Sequence, residues 1–214
     1  MSTKECILKS SFDLFLRDGI GESSANEAIK FSGVTKGCFY HHFSGKEELI
    51  SEVINKYICP FFEKPVERLK QKINEDRNLS DPREKLWFCY SLSPDFNEFG
   101  DLYSGIENLN MRNFFFLVYE CMKRYPYLSN LRCRCSREMI ELTAQVIEEC
   151  KNFGIVKSNT NSQSIATAMF ALKDGMQALN FIDSEIKLID KFEFTFGHIW
   201  NEIQAKEGGQ HLVG

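Results

Sequence analysis

Residues 33–49 read GVTKGCFYHHFSGKEEL. Gly33 is a helix stop. Thr35 is an N-cap by residue type, and Phe39 and Phe43 lie one helical turn apart. Ser44-Gly45 then breaks the chain before Lys46 opens another helix. The stretch predicts a short helix over 35–43, about 13 Å long at 1.5 Å per residue. Upstream, Ser24 caps a second short helix that runs to about Ser32. Two short helices joined by a tight glycine turn make a helix-turn-helix. Phe39 and Phe43 would anchor the second helix to Leu8, Phe12, Phe15 and Leu49. The opposite edge then shows Lys36, Gly37, Cys38, Tyr40, His41 and His42. A rod of this length fits the major groove of B-DNA, which is about 12 Å wide.

On either side the helical pattern continues. Leu8, Phe12 and Phe15 share one face of a first helix of about 15 residues, ended by Asp18-Gly19. The helix opened by Lys46 turns Leu49, Ile50, Val53, Ile54, Tyr57 and Ile58 inward, and Pro60 and Pro65 are expected to kink or interrupt it. Asp81-Pro82-Arg83-Glu84 is a helix start, with an Asp cap, Pro at the first position and Glu at the third. Ser104-Gly105-Ile106-Glu107 reads as another capping box. Pro126 separates the helix that follows from one over 130–153, which Gly154 stops. Two more are expected over 162–182 and 185–206. No alternating strand pattern or repeat is present. The fold class is all-α, with about nine helices: a helix-turn-helix domain over 1–57, a larger helical domain over 58–206, and a flexible tail over 207–214.

The last two helices carry heptad-like stripes. Ile165, Met169, Leu172, Met176 and Leu179 step by 4, 3, 4 and 3, and Ile189, Phe192, Phe196, Ile199 and Ile203 by 3, 4, 3 and 4. Such stripes suit antiparallel helices crossing at about +20°. They face either the subunit's own core or a second copy. Apolar residues off the stripe, among them Phe170, Phe194 and Trp200, favour a second buried face and hence a dimer.

Composition bounds the function. Of 214 residues 43% are hydrophobic, enough for a real core. No apolar run approaches the roughly 20 residues of a membrane span, and MSTKEC lacks a signal-peptide pattern, so the expectation is a cytoplasmic protein. The eight cysteines are scattered through helical patterns and read as reduced packing thiols. The net charge is −4, and up to Tyr57 seven basic residues face eight acids. If this segment binds DNA, its positive potential must come from a few placed groups. Ser24, Thr35, Tyr40, Lys46 and a histidine are the candidate phosphate contacts. Helix N-termini at Ser24 and Lys46 favour anions. Base reading would fall to Lys36, Cys38, His42 and the backbone of Gly37.

With these residues in view, the first ~57 positions resemble the DNA-binding domain of the tetracycline-repressor (TetR) family. The matching pieces are LFLRDG at the end of the first helix, the SGVTKG turn, FYHHF in the recognition helix, and SGKEEL opening the fourth helix. The resemblance implies an all-helical homodimer whose divergent C-terminal domain binds a small-molecule effector and dimerises through its last two helices. It puts the usual DNA contacts on Ser24, Thr35, Lys36, Tyr40, His42 and Lys46. Asn26 stands where that family often has arginine, and Cys38 where threonine is common. The implied function is a ligand-responsive transcriptional regulator, a repressor of a near-palindromic double-stranded operator. The interface would include Ile165, Met169, Leu172, Met176, Leu179, Phe196, Ile199, Trp200 and Ile203.

Trp87, Phe88, Phe96, Phe99, Tyr103, Phe115, Tyr119 and Phe170 are candidate walls of an effector pocket, and their number points to an apolar or flat ligand. The alternative functions are a helical small-molecule carrier, or a thiol- or metal-responsive sensor using Cys133 and Cys135. On a regular helix residues two apart face different directions, which opposes the second. Cys38 with His41 or His42 offers only two ligands for zinc, so no metal or other cofactor is expected. No Glu-x-x-His pair, nucleophile elbow, P-loop or dinucleotide fingerprint marks an enzyme.

Overall fold

The computed structural model describes residues 2–75, 81–92, 102–182 and 188–205. The expected tail and the expected pocket residues Phe96 and Phe99 lie outside them. The helices are α1 (Thr3–Glu22), α2 (Ala25–Ser32), α3 (Lys36–His42), α4 (Lys46–Val53), a π-turn (Ile54–Ile58), α5 (Cys59–Glu75), α6 (Pro82–Ser91), α7 (Met111–Arg124), α8 (Pro126–Asn152), α9 (Ser162–Ile182) and α10 (Leu188–Ile203). Among the described residues no strand forms, and a single isolated bridge joins Val156 to Gln204. The chain packs as two units, 1–65 with 94–134 and 66–93 with 135–214.

In the first unit, a row of aromatic rings forms the core. Phe12 stacks on Tyr57 at 4.5 Å with the rings parallel to within 1°. Phe114 meets Phe12 edge-on at 6.4 Å, and Phe61 lies 4.4 Å from Phe114. Tyr103 is buried and its hydroxyl donates to the Tyr57 carbonyl. In the second unit Tyr90 is the centre: it packs edge-on to Phe192 at 5.7 Å and hydrogen-bonds Thr195 at 2.6 Å. Two lysines are buried there. Lys85 pairs with Glu149 at 3.2 Å, and Lys173 donates to the Leu92 carbonyl at 3.2 Å.

Local chemistry explains most boundaries. Ser24 and Glu27 form a capping box at α2, and Gly33 ends that helix at φ 70°. Asp81 accepts from the N–H groups of Arg83 and Glu84 at α6. Gly19 leaves helical geometry (φ 80°, ψ 165°) and ends the first run of α1 as expected, with one further turn continuing to Glu22. Two expectations need correction. The prolines do not interrupt the helix after Lys46. A wider π-turn ends just before Pro60 and absorbs the missing N–H, and Pro65 sits within α5. Ser104–Glu107 starts no helix. Gly105 turns there at φ 65°, and α7 begins instead at Asn110, whose side chain accepts from the N–H of Asn113.

Candidate nucleic-acid interface

The turn and α3 are built as the residues require. The Thr35 hydroxyl accepts from the Cys38 N–H at 3.2 Å. Phe39 and Phe43 are fully buried, with rings 5.5 Å apart. That fixes the rotation of α3 about its axis, and its other edge faces out. Lys36, Gly37, Tyr40 and His41 are exposed, while Cys38 and His42 are half-buried. The Tyr40 ring stands edge-on to Phe39 at 5.2 Å, so its body is held while its hydroxyl reaches solvent. A Cβ added at Gly37 would meet nothing within 4 Å. The protein's own packing therefore does not demand glycine there, and the space is open to a partner.

Charge is sorted in the same way. Ion pairs engage Lys4 with Glu52, Arg17 with Asp18, and Lys56 with Glu5. Glu27 and Glu48 are turned onto backbone N–H groups of Ser24 and Ser44, at 2.6 Å each. Hydrogen bonds from those serines, led by their hydroxyls, hold both carboxyls below their ordinary pKa. Glu47 takes Arg124 and the Tyr125 hydroxyl. Lys36 and Lys46 stand outside any ion pair among the described residues. Seven bases against eight acids thus hides a local excess: most acids are spent on caps and pairs, and two lysines flank the exposed edge. Ser24 is exposed at the start of α2, and no side chain caps α4 at Gly45, beside Lys46.

How this segment is tied to the rest of its unit was not expected. Glu120, which ends the aromatic run of α7, accepts from the N–H groups of Ile20 and Gly21 at 2.8 and 2.6 Å. Asp13 accepts from the Asn108 backbone at 2.8 Å. A lone carboxylate at the end of an apolar run was the one available signal.

The residues expected to wall an effector pocket divide between the two units. Tyr103 belongs to the aromatic core of the first unit, and Tyr119 in that unit is 60% exposed. Phe115 packs edge-on to Phe61 there at 6.0 Å. Trp87, Phe88 and Phe170 belong to the second unit. Phe88 is half-buried beneath Lys72. Phe170 lines only a void of about 10 Å³, room for about one water.

Part of the expected dimer stripe is core. Met169, Phe196 and Ile203 are buried within their own unit at 2%, 3% and 3% exposure. Ile165, Met176, Ile199 and Trp200 are half-buried. Leu172 and Leu179 of the stripe are exposed, as are Ile182 on α9 and Phe194 on α10, whose ring packs against His198 at 4.5 Å.

Cys133 is exposed and Cys135 buried on the regular turns of α8, so they do not face one ion. Among the described residues no three His, Cys, Asp or Glu side chains converge on a point. Burial pushes the Cys89 and Cys121 thiols up to about 12 and Cys150 to about 11, the behaviour of packing cysteines.

Residues 7–53 match the family of bacterial regulatory proteins called tetR. The HTH-type transcriptional regulator QacR of Staphylococcus aureus is 32% identical over 78 residues, 36% of this chain and 42% of that protein. The chain spans less than half the length of the curated relatives it matches. Among solved structures, a TetR-family regulator from Cytophaga hutchinsonii aligns over 96% of both chains, at 17% identity and a TM-score of 0.60. The SmeT–triclosan complex aligns over 97% of this chain and 94% of that one, at 15% identity and a TM-score of 0.62. At these identities the likeness is one of fold.

Proposed function

We propose that the chain, whose residues 7–53 match the tetR family of bacterial regulatory proteins, is a ligand-responsive, DNA-binding repressor of that type. The observation that carries the reading is the rotation of α3. Two buried phenylalanines turn Lys36, Gly37, Tyr40 and His41 outward, and neither Lys36 nor Lys46 forms an ion pair among the described residues. Ser24, Thr35, Tyr40, Lys46 and a histidine would hold phosphates, and Lys36, Cys38, His42 and the Gly37 backbone would read base edges. No described helix is long and apolar enough to cross a membrane. A repressor of this type would work on DNA in the cytoplasm.

The repressor acts as a homodimer. The exposed line of Leu172, Leu179, Ile182 and Phe194 supports this, because apolar side chains at that spacing on two terminal helices suit a four-helix interface. Two copies of α3, about 34–36 Å apart, would then enter successive major grooves of a near-palindrome. A small-molecule effector releases the operator only by binding more tightly to a form whose reading heads are wrongly spaced.

Genome fragments captured by the purified protein give the operator, and fluorescence anisotropy against salt then tests the contacts. Lys36 and Lys46 from two subunits give four fixed charges, so the slope of log K against log salt should be about −3.6. Tyr40→Phe should weaken all DNA sequences alike, whereas Lys36→Ala should also change the preference among them. A slope near zero would remove the phosphate-contact model.

A further inference from the structure

The second unit holds a cleft of about 380 Å³ between α6 and α10, lined among the described residues by Asp81, Arg83, Glu84, Trp87, Glu193 and Phe196. That volume suits a small ligand. The neighbouring voids in this unit do not. The wider groove of about 710 Å³ beside Glu148 and Ser162 has no aromatic wall, and the one at Cys89 is about 10 Å³.

Two of the six lining residues are aromatic. Trp87 meets Phe196 edge to face at 5.2 Å. Phe196 is held from behind by Tyr90 at 5.9 Å and by Trp200 at 6.5 Å, both stacked. Three of the six lining side chains are carboxylates against one guanidinium. Asp81 is occupied in capping α6, but Glu84 and Glu193 are exposed and stand outside any ion pair among the described residues. The guanidinium of Arg83 lies over the Phe196 ring, 5.9 Å from its centroid. The chain thus places its own cation on the aromatic face, beside carboxylates that it does not pair.

We propose that this cleft is the effector site of the repressor described above, and that it takes a small organic cation, an amine or quaternary ammonium carrying apolar groups, which replaces the Arg83 guanidinium over Phe196. The proposal rests on the regulator reading for its consequence and on the cleft for its chemistry. Ring quadrupoles prefer a cation to a neutral group of the same shape by about three- to thirtyfold. Glu84 and Glu193 add attraction at partly exposed positions, where a single charge changes affinity by a few-fold. Arg83 opposes the ligand twice, by its charge and by its place.

The test uses the full chain with Trp200→Phe, which leaves Trp87 as the only tryptophan of the two in the sequence. Benzyltrimethylammonium is titrated against Trp87 fluorescence beside its neutral carbon isostere. The expected result is a saturable change with the cation, about tenfold weaker binding of the isostere, a roughly threefold loss with Glu193→Gln, and a roughly threefold gain with Arg83→Ala. Arg83→Gln, which keeps the length of the side chain, should also tighten binding, and near-UV dichroism checks the fold of each variant. A gain of affinity is not what loss of a structural arginine produces. No saturable change up to roughly 10 mM, equal binding of the isostere, or weaker binding in both Arg83 variants would overturn the proposal. The cation should also release operator DNA in anisotropy. Saturable binding with unchanged DNA affinity would overturn the effector assignment, while the DNA-binding reading, which the salt slope tests separately, would stand.

Discussion

Replacing Glu120 should loosen the reading head without touching DNA. Its carboxylate accepts from the N–H of Ile20, a buried residue, and from the exposed N–H of Gly21. A hydrogen bond to a charged group contributes about 1.5–3 kcal/mol when water cannot replace it, and much less when it can. Counting the Ile20 bond near 1.5–2 kcal/mol and the Gly21 bond near 0.5 gives a loss of about 2–2.5 kcal/mol for Glu120→Ala. With a urea slope of about 2 kcal/mol per molar, the midpoint falls by about 1 M. Glu120→Gln isolates the effect, because glutamine and glutamate have nearly equal helix propensity. It keeps one acceptor oxygen and sets an amide NH₂ against a backbone donor, so it should lose at least half as much. Gly19 provides the second arm. Its backbone (φ 80°, ψ 165°) is open almost only to glycine, and a Cβ there would sit 2.8 Å from a Glu120 oxygen. Gly19→Ala therefore strains the chain and displaces the carboxylate together. In a double-mutant cycle, Gly19→Ala should cost about 1 kcal/mol less when Glu120 is already alanine. Urea unfolding followed by dichroism measures all four proteins. Additive losses, or Glu120 variants within about 0.5 kcal/mol of the parent, would refute the view that this carboxylate holds the kinked end of α1.

Two further outcomes follow from the same physics. Glu27 and Glu48 have folded pKa values held below the ordinary 4.5 by hydrogen bonds from Ser24 and Ser44. A depressed carboxylate stabilises the fold above its unfolded pKa and loses that contribution as pH falls through the folded value. Melting temperature should therefore drop as pH is lowered from neutral to about 3, and the drop should be shallower in a Glu27→Gln, Glu48→Gln double variant; an equal drop would exclude these caps as the cause. On the terminal helices, Leu172→Glu with Leu179→Glu should give monomers in sedimentation velocity and weaken operator binding, whereas Met169→Ala should lower thermal stability; a double variant that stays dimeric would exclude that line as the interface.

The fold was legible wherever a residue acts on its own backbone. Ser24, Thr35 and Asp81 cap helices through side-chain oxygens two or three residues away. Gly33 and Gly154 stop helices at positive φ. The all-helical class and the place of α3 follow from such short-range chemistry. The same logic misled at Ser104–Glu107, where the residue types of a capping box meet a chain already committed to a turn. Tyr103 beside it is buried and bonded to the Tyr57 carbonyl, and Asn108 is held by Asp13. Tertiary partners outweighed the local preference. The prolines misled for a related reason: a π-turn is an adjustment of the ladder itself, and no residue type announces it.

The candidate sites divide along the same line. The edge of α3 was readable because burying Phe39 and Phe43 leaves the helix only one rotation, and every other side chain follows from it. The terminal helices give no such anchor. In α9 a heptad through Ile165, Met169, Leu172, Met176 and Leu179 threads both a buried and an exposed face. Met169 is at 2% exposure and Leu172, three residues on, at 44%. At about 100° per residue, a step of three leaves the side chain about 60° short of a full circle, enough to carry Leu172 out of the core that Met169 joins. Periodicity reports that a face is apolar and is silent on whose core it joins. The aromatic residues expected to wall a pocket extend that argument. Tyr103 and Trp87 are equally apolar, yet Tyr103 is enclosed by Phe12 and Phe114, whereas Trp87 borders an open cleft with carboxylates at its rim. Packing spends most aromatic side chains on their neighbours, and the ones left for a ligand are found by the charge that accumulates unpaired around them.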